Sequence, residues 1–285
     1  MAKWTAGDLP DLTGRTVLVT GGGSGIGLVT AREMGRVGAR VVLGVRSVEK
    51  GRRAVADLPG DHEVRRLDVS DLASVRGFAQ EWTGDLDILV NNAGVMDIPA
   101  ARTADGFDVQ TATNYTGPFV LTNLLLPHLT DRVVNVTSQL HRQSRLDLHD
   151  LDWRTRRHHP MAAYRDSKLA LVLFSLELQR RLTAAGSPVR SVLAHPGIAT
   201  TSLAAHSSAN IVNRFSLLLN DPEHGALPLL YAATQDLPGN AYVGPDGLGG
   251  VKGHPAVRKA AKAGLDQARA AELWRITAQL TGIGR

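Results

Sequence analysis

Short apolar runs, rich in valine, alternate along this chain with longer stretches of helical periodicity such as 25–37, 71–82 and 162–182. Near-continuous apolar strands are typical of strands buried on both faces, as in a parallel sheet covered by helices. The pattern therefore predicts a doubly wound α/β fold with a mainly parallel seven-stranded sheet and helices on both faces. The predicted strands are 15–20, 40–45, 63–67, 86–91, 132–137, 189–194 and 241–243.

The length and composition indicate one globular domain spanning residues 1–285. There are no cysteines, which excludes disulfides, thiolate metal sites and cysteine nucleophiles. The N-terminus lacks the apolar core of a secretory signal, and no apolar run approaches the ~18 residues that span a bilayer. We therefore expect a cytoplasmic protein with no membrane span.

The net charge of +5 raises the question of an anionic partner. Nucleic-acid-binding chains gather basic residues on one face, whereas here arginine is interleaved with Asp and Glu, so no nucleic-acid partner is expected. The positive field would still help to recruit a polyphosphate cofactor. The ten histidines show no metal-ligand spacing, and we predict no metal.

A glycine-rich loop follows the first predicted strand and leads into a helix. Glycine lets the backbone turn tightly and approach a pyrophosphate, whose charge the free N–H groups of the following helix attract. This context favours a dinucleotide site of the Rossmann type over a flexible loop. The predicted contacts are Gly21, Gly23, Ser24, Gly25, Ile26 and Gly27.

The spacing Thr-Gly-x-x-x-Gly-x-Gly, from Thr20 to Gly27, resembles the cofactor motif of the short-chain dehydrogenase/reductase family, and further motifs of that family follow in order. The insert 146–153 and the segment 122–127 are similar to its retinol-dehydrogenase-like branch. The resemblance implies that the adenine side of the cofactor contacts Asp68, Val69, Asn92, Ala93 and Gly94. It also implies that the nicotinamide carboxamide contacts Pro196, Gly197 and Thr200.

The end of the second predicted strand bears on the choice of nicotinamide cofactor. An acidic residue there binds the ribose 2′-hydroxyl of NAD, whereas an arginine accommodates the 2′-phosphate of NADP. Here no carboxylate occupies that place and Arg46 follows the strand directly. A guanidinium can grip a phosphate with two hydrogen bonds. The sequence therefore favours NADP (NADPH) over NAD, although Arg46 could instead cap a solvated strand end.

Tyr164 and Lys168 lie four residues apart on a predicted helix, so both can face one cleft. A nearby ammonium and the positive nicotinamide ring both favour the phenolate and are expected to lower the tyrosine pKa, which suits Tyr164 to acid–base catalysis. Ser138, at the end of the fifth predicted strand, can orient the reacting oxygen. The family resemblance implies that Lys168 also binds the nicotinamide ribose.

Asn114 falls where the resemblance places a fourth catalytic residue. In a helix its carbonyl would accept from the N–H of residue 118, but Pro118 has none. We therefore expect a local kink with a free carbonyl, which in the family holds a water of a proton relay. The alternative is that Pro118 only interrupts the helix.

These features predict an NADP(H)-dependent oxidoreductase that transfers hydride between nicotinamide and a small-molecule alcohol or carbonyl compound. The apolar segment 198–220 is a candidate lid over a hydrophobic substrate, although it could equally be ordinary helix core.

Two alternatives to this function are a non-catalytic NADP-sensing regulator and a same-fold reductase of an activated C=C bond. The resemblance also implies a homodimer or homotetramer, because many relatives pair through long crossover helices, whereas the insert and the extended C-terminus leave a monomer open.

Overall fold

The computed structural model describes residues 3–197 and 221–284 of the chain. Thr200 and the candidate lid 198–220 lie outside these described residues. The strands are β1 (Thr16–Thr20), β2 (Arg40–Val45), β3 (Asp61–Arg66), β4 (Leu86–Asn91), β5 (Leu129–Val136), β6 (Arg190–Ala194), β7 (Tyr242–Pro245) and β8 (Pro255–Arg258).

These strands form one sheet in the order β3-β2-β1-β4-β5-β6-β7-β8. The strands from β1 to β7 pair in parallel, as the apolar pattern predicts, and β8 pairs antiparallel with β7. The predicted count of seven strands is therefore wrong by one. The missed strand is short, lies at the sheet edge and is half exposed, so it lacks the continuous apolar run of a central strand.

Helices cover both faces of this sheet, as predicted. The helices are α1 (Gly25–Arg36), α2 (Val48–Val55), α3 (Leu72–Gln80), α4 (Val109–Thr111), α5 (Gly117–Leu125), α6 (Pro160–Ala184), α7 (Pro222–Thr234) and α8 (Gln267–Thr281). A π-helical segment, Ala112–Thr116, joins α4 to α5. No helix within residues 3–197 and 221–284 combines the length and the apolarity needed to cross a bilayer.

The core has two layers, because successive side chains of a strand point to opposite faces of the sheet. In β1, Leu18 belongs to a cluster that packs beneath α3, α5, α6 and α8. Its neighbours Val17 and Val19 belong to the other cluster, beneath α1 and α7. Burying both faces explains why the strands read as almost continuous apolar runs.

The strand order reverses between β1 and β4, since β2 and β3 lie on one side of β1 and the later strands on the other. Ligands of doubly wound sheets bind at this reversal, outside the carboxyl ends of the strands. The loops that follow β1, β4 and β5 therefore meet at one edge of the sheet. These loops carry the residues predicted from the sequence to bind cofactor and substrate.

Candidate active site

The glycine loop after β1 packs directly against the loop after β4. The Thr20 hydroxyl accepts hydrogen bonds from the backbone N–H groups of Asn92 and Ala93, both at 3.0 Å. The Asn92 side chain donates in return to the Thr20 carbonyl at 2.9 Å. A Cβ atom added to Gly27 would lie 2.5 Å from Asn92 Nδ2, so only glycine permits this approach. Two segments of the predicted cofactor site are thus held together by Thr20, a role the sequence did not reveal.

The same loop presents the N-terminus of α1 at the sheet edge. Gly21 turns the chain with a positive φ of 67°, which glycine adopts at no steric cost. Ser24 occupies the N-cap position of α1, yet its side chain makes no capping hydrogen bond. The first N–H groups of a helix have no acceptor within that helix, and they favour a bound anion. This geometry fits the pyrophosphate of a dinucleotide.

The predicted adenosine contacts lie beside this loop. Asp68, after β3, is half-buried and its carboxylate accepts from both the N–H and the hydroxyl of Ser70. Val69 is buried. Arg46 is exposed at the end of β2. The ion pairs found within the described residues do not include Arg46, whereas Arg40, at the start of the same strand, pairs with Glu63.

The catalytic candidates come from two elements that meet at the ends of β4 and β5. Tyr164 and Lys168 share a face of α6 and are both buried, with Lys168 Nζ 5.8 Å from the centre of the Tyr164 ring. Lys168 Nζ donates to the Val136 carbonyl, at the end of β5, at 3.0 Å. The Ser138 side chain, two residues further on, is close enough to the Tyr164 phenol to influence its pKa. The structure therefore brings the predicted serine, tyrosine and lysine together.

Burial shifts the pKa values of both members of the dyad. It raises the pKa of Tyr164 above its usual value, and the nearby Ser138 side chain opposes this rise. Among the protein's own groups, burial therefore outweighs any effect of Lys168 on the tyrosine pKa, and the expected contribution of the nicotinamide ring stays a prediction. Burial lowers the pKa of Lys168 itself to about 8. The phenol is consequently a proton donor across neutral pH, and the amine is still mostly charged at pH 7.

Asn114 lies within the π-helical segment, so the regular helix is interrupted here as the sequence predicts. Its side-chain amide accepts from Val95 N–H at 2.9 Å and donates to the Val95 carbonyl at 2.9 Å and to Ser167 Oγ at 3.0 Å. A Cβ added to Gly94 would lie 3.1 Å from Asn114 Oδ1 and 3.5 Å from Lys168 Nζ. Asn114 thus sits between the cofactor loop and the catalytic helix. The proton relay through its carbonyl stays a prediction.

Two residues inside the Tyr164–Lys168 motif hold that motif in place, and sequence reasoning missed both. Ser167 donates to the Tyr164 carbonyl at 2.8 Å and accepts from Asn114. Asp166 is buried, and its carboxylate accepts from Ser144 Oγ at 2.7 Å and pairs with Arg156 at 2.9 Å. No sequence signal set these two residues apart, because the same helix carries other polar residues such as Glu177 and Gln179.

Of the residues predicted to contact the nicotinamide carboxamide, the structure describes Pro196 and Gly197. Gly197 N–H donates to Nδ1 of His195 at 3.1 Å, and the His195 ring stacks on Tyr242 with centroids 5.7 Å apart. Burial is the main cause that lowers the pKa of His195 to about 4, so this histidine is a packed neutral residue, as expected. Pro196 lies between these two residues, whereas Thr200 falls outside the described part of the chain. Within residues 3–197 and 221–284, no group of three or more His, Asp or Glu is arranged to hold a metal ion.

Comparison with known proteins agrees with this geometry. The family model for short chain dehydrogenases matches residues 15–150. Retinol dehydrogenase 13 of Homo sapiens is 38% identical in an alignment that covers 95% of this chain and 86% of that protein.

Two solved structures extend the likeness to three dimensions. An uncharacterized protein from Mycobacterium paratuberculosis has a TM-score of 0.89 at 48% identity, covering 99% of this chain and 98% of that one. The NADP active-site complex of Pseudomonas aeruginosa RhlG has a TM-score of 0.64 at 28% identity, covering 81% of this chain and 94% of that one. The chain belongs to the short-chain dehydrogenase/reductase family, in its retinol-dehydrogenase-like branch, and is an oxidoreductase of the alcohol/carbonyl type.

Proposed function

We propose that this protein is an NADP(H)-dependent oxidoreductase in which Tyr164 exchanges the proton of an alcohol/carbonyl pair. The observation that carries the proposal is the meeting of Ser138, Tyr164 and Lys168 at the carboxyl edge of the sheet, next to the glycine loop. When bound, the nicotinamide supplies or accepts the hydride at the substrate carbon. The protein's own groups handle the proton and the developing charge on oxygen.

The proton step follows from the environment of each group. In carbonyl reduction the Ser138 hydroxyl orients and polarises the reacting oxygen, and Tyr164 donates a proton to it. Burial raises the pKa of Tyr164, which keeps the phenol protonated and able to donate. The buried ammonium of Lys168 stabilises the phenolate that donation leaves behind. Asn114 is proposed to hold, on its carbonyl, a water that returns the proton from solvent.

Replacement of Tyr164 tests this assignment. Tyr164→Phe removes only the phenolic oxygen, so NADPH should bind as in the wild type while turnover of aldehydes and ketones falls by ~10³-fold or more. The assay combines NADPH oxidation over a substrate panel with a fluorescence titration of NADPH. Turnover like the wild type in this variant would remove Tyr164 from the mechanism. If the wild type binds NADPH but none of the tested substrates supports its oxidation, a sensing regulator is the better assignment. If enones give saturated products, the protein is a reductase of C=C bonds.

The proposed preference for NADP rests on Arg46. Its exposed guanidinium lies at the end of β2, where a 2′-phosphate would sit, and the RhlG structure shows that a relative of this fold binds NADP. Arg46→Ala should raise the Kd of NADPH by about tenfold or more, with little change for NADH. Arg53→Ala is the matched control, because Arg53 is also exposed but is paired with Glu49 on α2. Equal losses for both cofactors would argue against the phosphate contact.

The substrate is proposed to be a largely apolar carbonyl or alcohol compound. Support comes from the relative named retinol dehydrogenase and from the apolar composition of segment 198–220. The cytoplasmic location, the absence of a metal and the homodimer or homotetramer stay predictions.

A further inference from the structure

A cavity of about 540 Å³ is bounded by residues that follow β5 and β6 and by residues of β7 and β8. Gln139 and His195 line it, and each adjoins a segment of the proposed site. Gln139 directly follows Ser138, and His195 directly precedes the Pro196–Gly197 pair. A molecule in this cavity would therefore lie next to the reacting centre.

The rim of this cavity is strongly basic. Arg142, Arg258 and Lys259 line it, and its described lining contains no aspartate or glutamate. Arg142 donates to the backbone carbonyl of Lys259, which holds the two cationic segments together. Other arginines of the chain form ion pairs with carboxylates, as Arg190 does with Asp131. The three cationic residues of the rim take part in no ion pair among the described residues. Such a concentration of unneutralised positive charge suits an anion.

The floor of the cavity is neutral and partly aromatic. The stacked rings of His195 and Tyr242 form it, and the Tyr242 hydroxyl donates to Gln139 Oε1 at 3.3 Å. Burial keeps His195 neutral, and the charges of Arg142 and Arg258 lower its pKa further, so their field reaches the floor. Carbon groups can pack on these rings while an acidic group meets the rim.

We propose that this cavity binds an anionic group of the substrate, a carboxylate or a phosphate ester, while its oxo or hydroxyl carbon reaches Ser138 and Tyr164. Guanidinium groups bind both anions with paired, charge-assisted hydrogen bonds. The inference rests on the proposed function and narrows its substrate class to largely apolar compounds that carry one acidic end.

Paired substrates test the inference. NADPH oxidation is measured with a chain-length series of oxo carboxylates and their methyl esters, and with oxoalkyl phosphates and the corresponding hydroxy ketones. The wild type should prefer the best anion over its neutral partner by about tenfold or more in kcat/KM, and this preference should shrink at high salt. Carboxylates and phosphate esters are compared to show which anion is the better substrate.

Arg258→Gln should remove most of this preference by raising KM for the anion, with kcat/KM for the neutral partner unchanged. Arg258 is exposed on β8, and this variant does not remove the contact of Arg142 with Lys259. Arg275→Gln, a change of equal charge at an exposed position on α8, should keep the preference. Equal use of anionic and neutral partners by the wild type, or an equal loss in both arginine variants, would overturn the inference.

Direct binding separates this inference from the proposed function. If no carbonyl compound is turned over, the proposed function fails, and the cavity is tested by calorimetric titration of the same carboxylates and esters. Binding of the acids alone, weakened about tenfold by Arg258→Gln, would still support an anion site. Equal binding of acids and esters, or no binding of either, would refute it.

Discussion

At the scale of single residues, burial controls the chemistry of the catalytic pair more than the contact between its members does. Burial raises the pKa of Tyr164 and lowers that of Lys168 to about 8, so the protein's own groups do not make the phenol more acidic. Spacing on a helix was enough to pair the two residues. The spacing could not predict how deeply the two side chains are buried, because their burial depends on the elements that cover α6.

The pKa of Lys168 predicts a pH dependence for carbonyl reduction. The amine is charged below about pH 8 and neutral above it, so the support it gives to the phenolate is lost as the pH rises. We expect kcat/KM for reduction to fall as the pH passes through about 8. Lys168→Met should have low activity and lack this transition. A wild-type profile that stays flat to pH 10 would contradict the assignment.

The buried His195 predicts a loss of stability in acid. Its folded-state pKa of about 4 lies below the ordinary value of 6.5, so between these values the unfolded chain binds a proton that the folded chain does not. The corresponding stability is present above pH 6.5 and is lost as the pH falls towards 4, by up to about 3 kcal/mol. His195→Asn, which can still accept from Gly197 N–H, should flatten the curve of unfolding free energy against pH. Part of the slope should persist, because burial also lowers the pKa of His141.

At the scale of elements, the catalytic helix is held by the irregular segment that precedes it. Asp150 accepts from the backbone N–H groups of residues 154–156 and so folds this segment, while Arg156 joins it to Asp166 on α6. The sequence indicated an insert here and the family branch that carries it. It did not reveal the link to α6, since hydrogen bonds of an irregular segment leave no periodic pattern.

Removal of this link should loosen the start of α6. Asp166→Ala leaves Arg156 without its α6 carboxylate and removes the acceptor of Ser144 Oγ, so we expect the free energy of unfolding to fall by about 3 kcal/mol. Turnover should fall with it, because Tyr164 lies in the first turns of the same helix. Asp166→Asn is the matched control, since its amide oxygen can still accept from Ser144 and should restore part of both losses. Urea denaturation and kcat measure the two effects, and unchanged values for Asp166→Ala would exclude the link.

At the scale of the whole molecule, the sequence predicted the architecture and the central strands more accurately than it predicted the edge strands. The central strands were predicted because burial on both faces makes most of their residues apolar, as in β1 and β4. Edge strands give a weaker signal, and β3 and β8 carry exposed charged residues such as Asp61 and Arg258. The catalytic residues were found where a motif fixes the spacing, whereas Thr20 and Asp166 act through partners that are distant in sequence.

The C-terminal helix α8 provides a test of the predicted single domain. Trp274 packs on Phe119 of α5 and Phe174 of α6, with ring centroids 4.9 and 5.7 Å away, and belongs to the core cluster that contains Leu18 of β1. Because the two ends of the chain share this core, we expect one cooperative unfolding transition. Trp274→Ala should lower the stability of that transition by ~3–5 kcal/mol without splitting it.

Leu280→Ala, at a half-exposed position of the same helix, should change the free energy of unfolding by less than about 0.5 kcal/mol. Calorimetry and near-UV circular dichroism follow the two variants in parallel. A second, earlier transition in Trp274→Ala alone would show that α8 unfolds as a unit of its own. Since Tyr115 hydrogen-bonds Thr277 of α8 at 2.5 Å and neighbours Asn114, such independent unfolding would also leave the catalytic segment without part of its support.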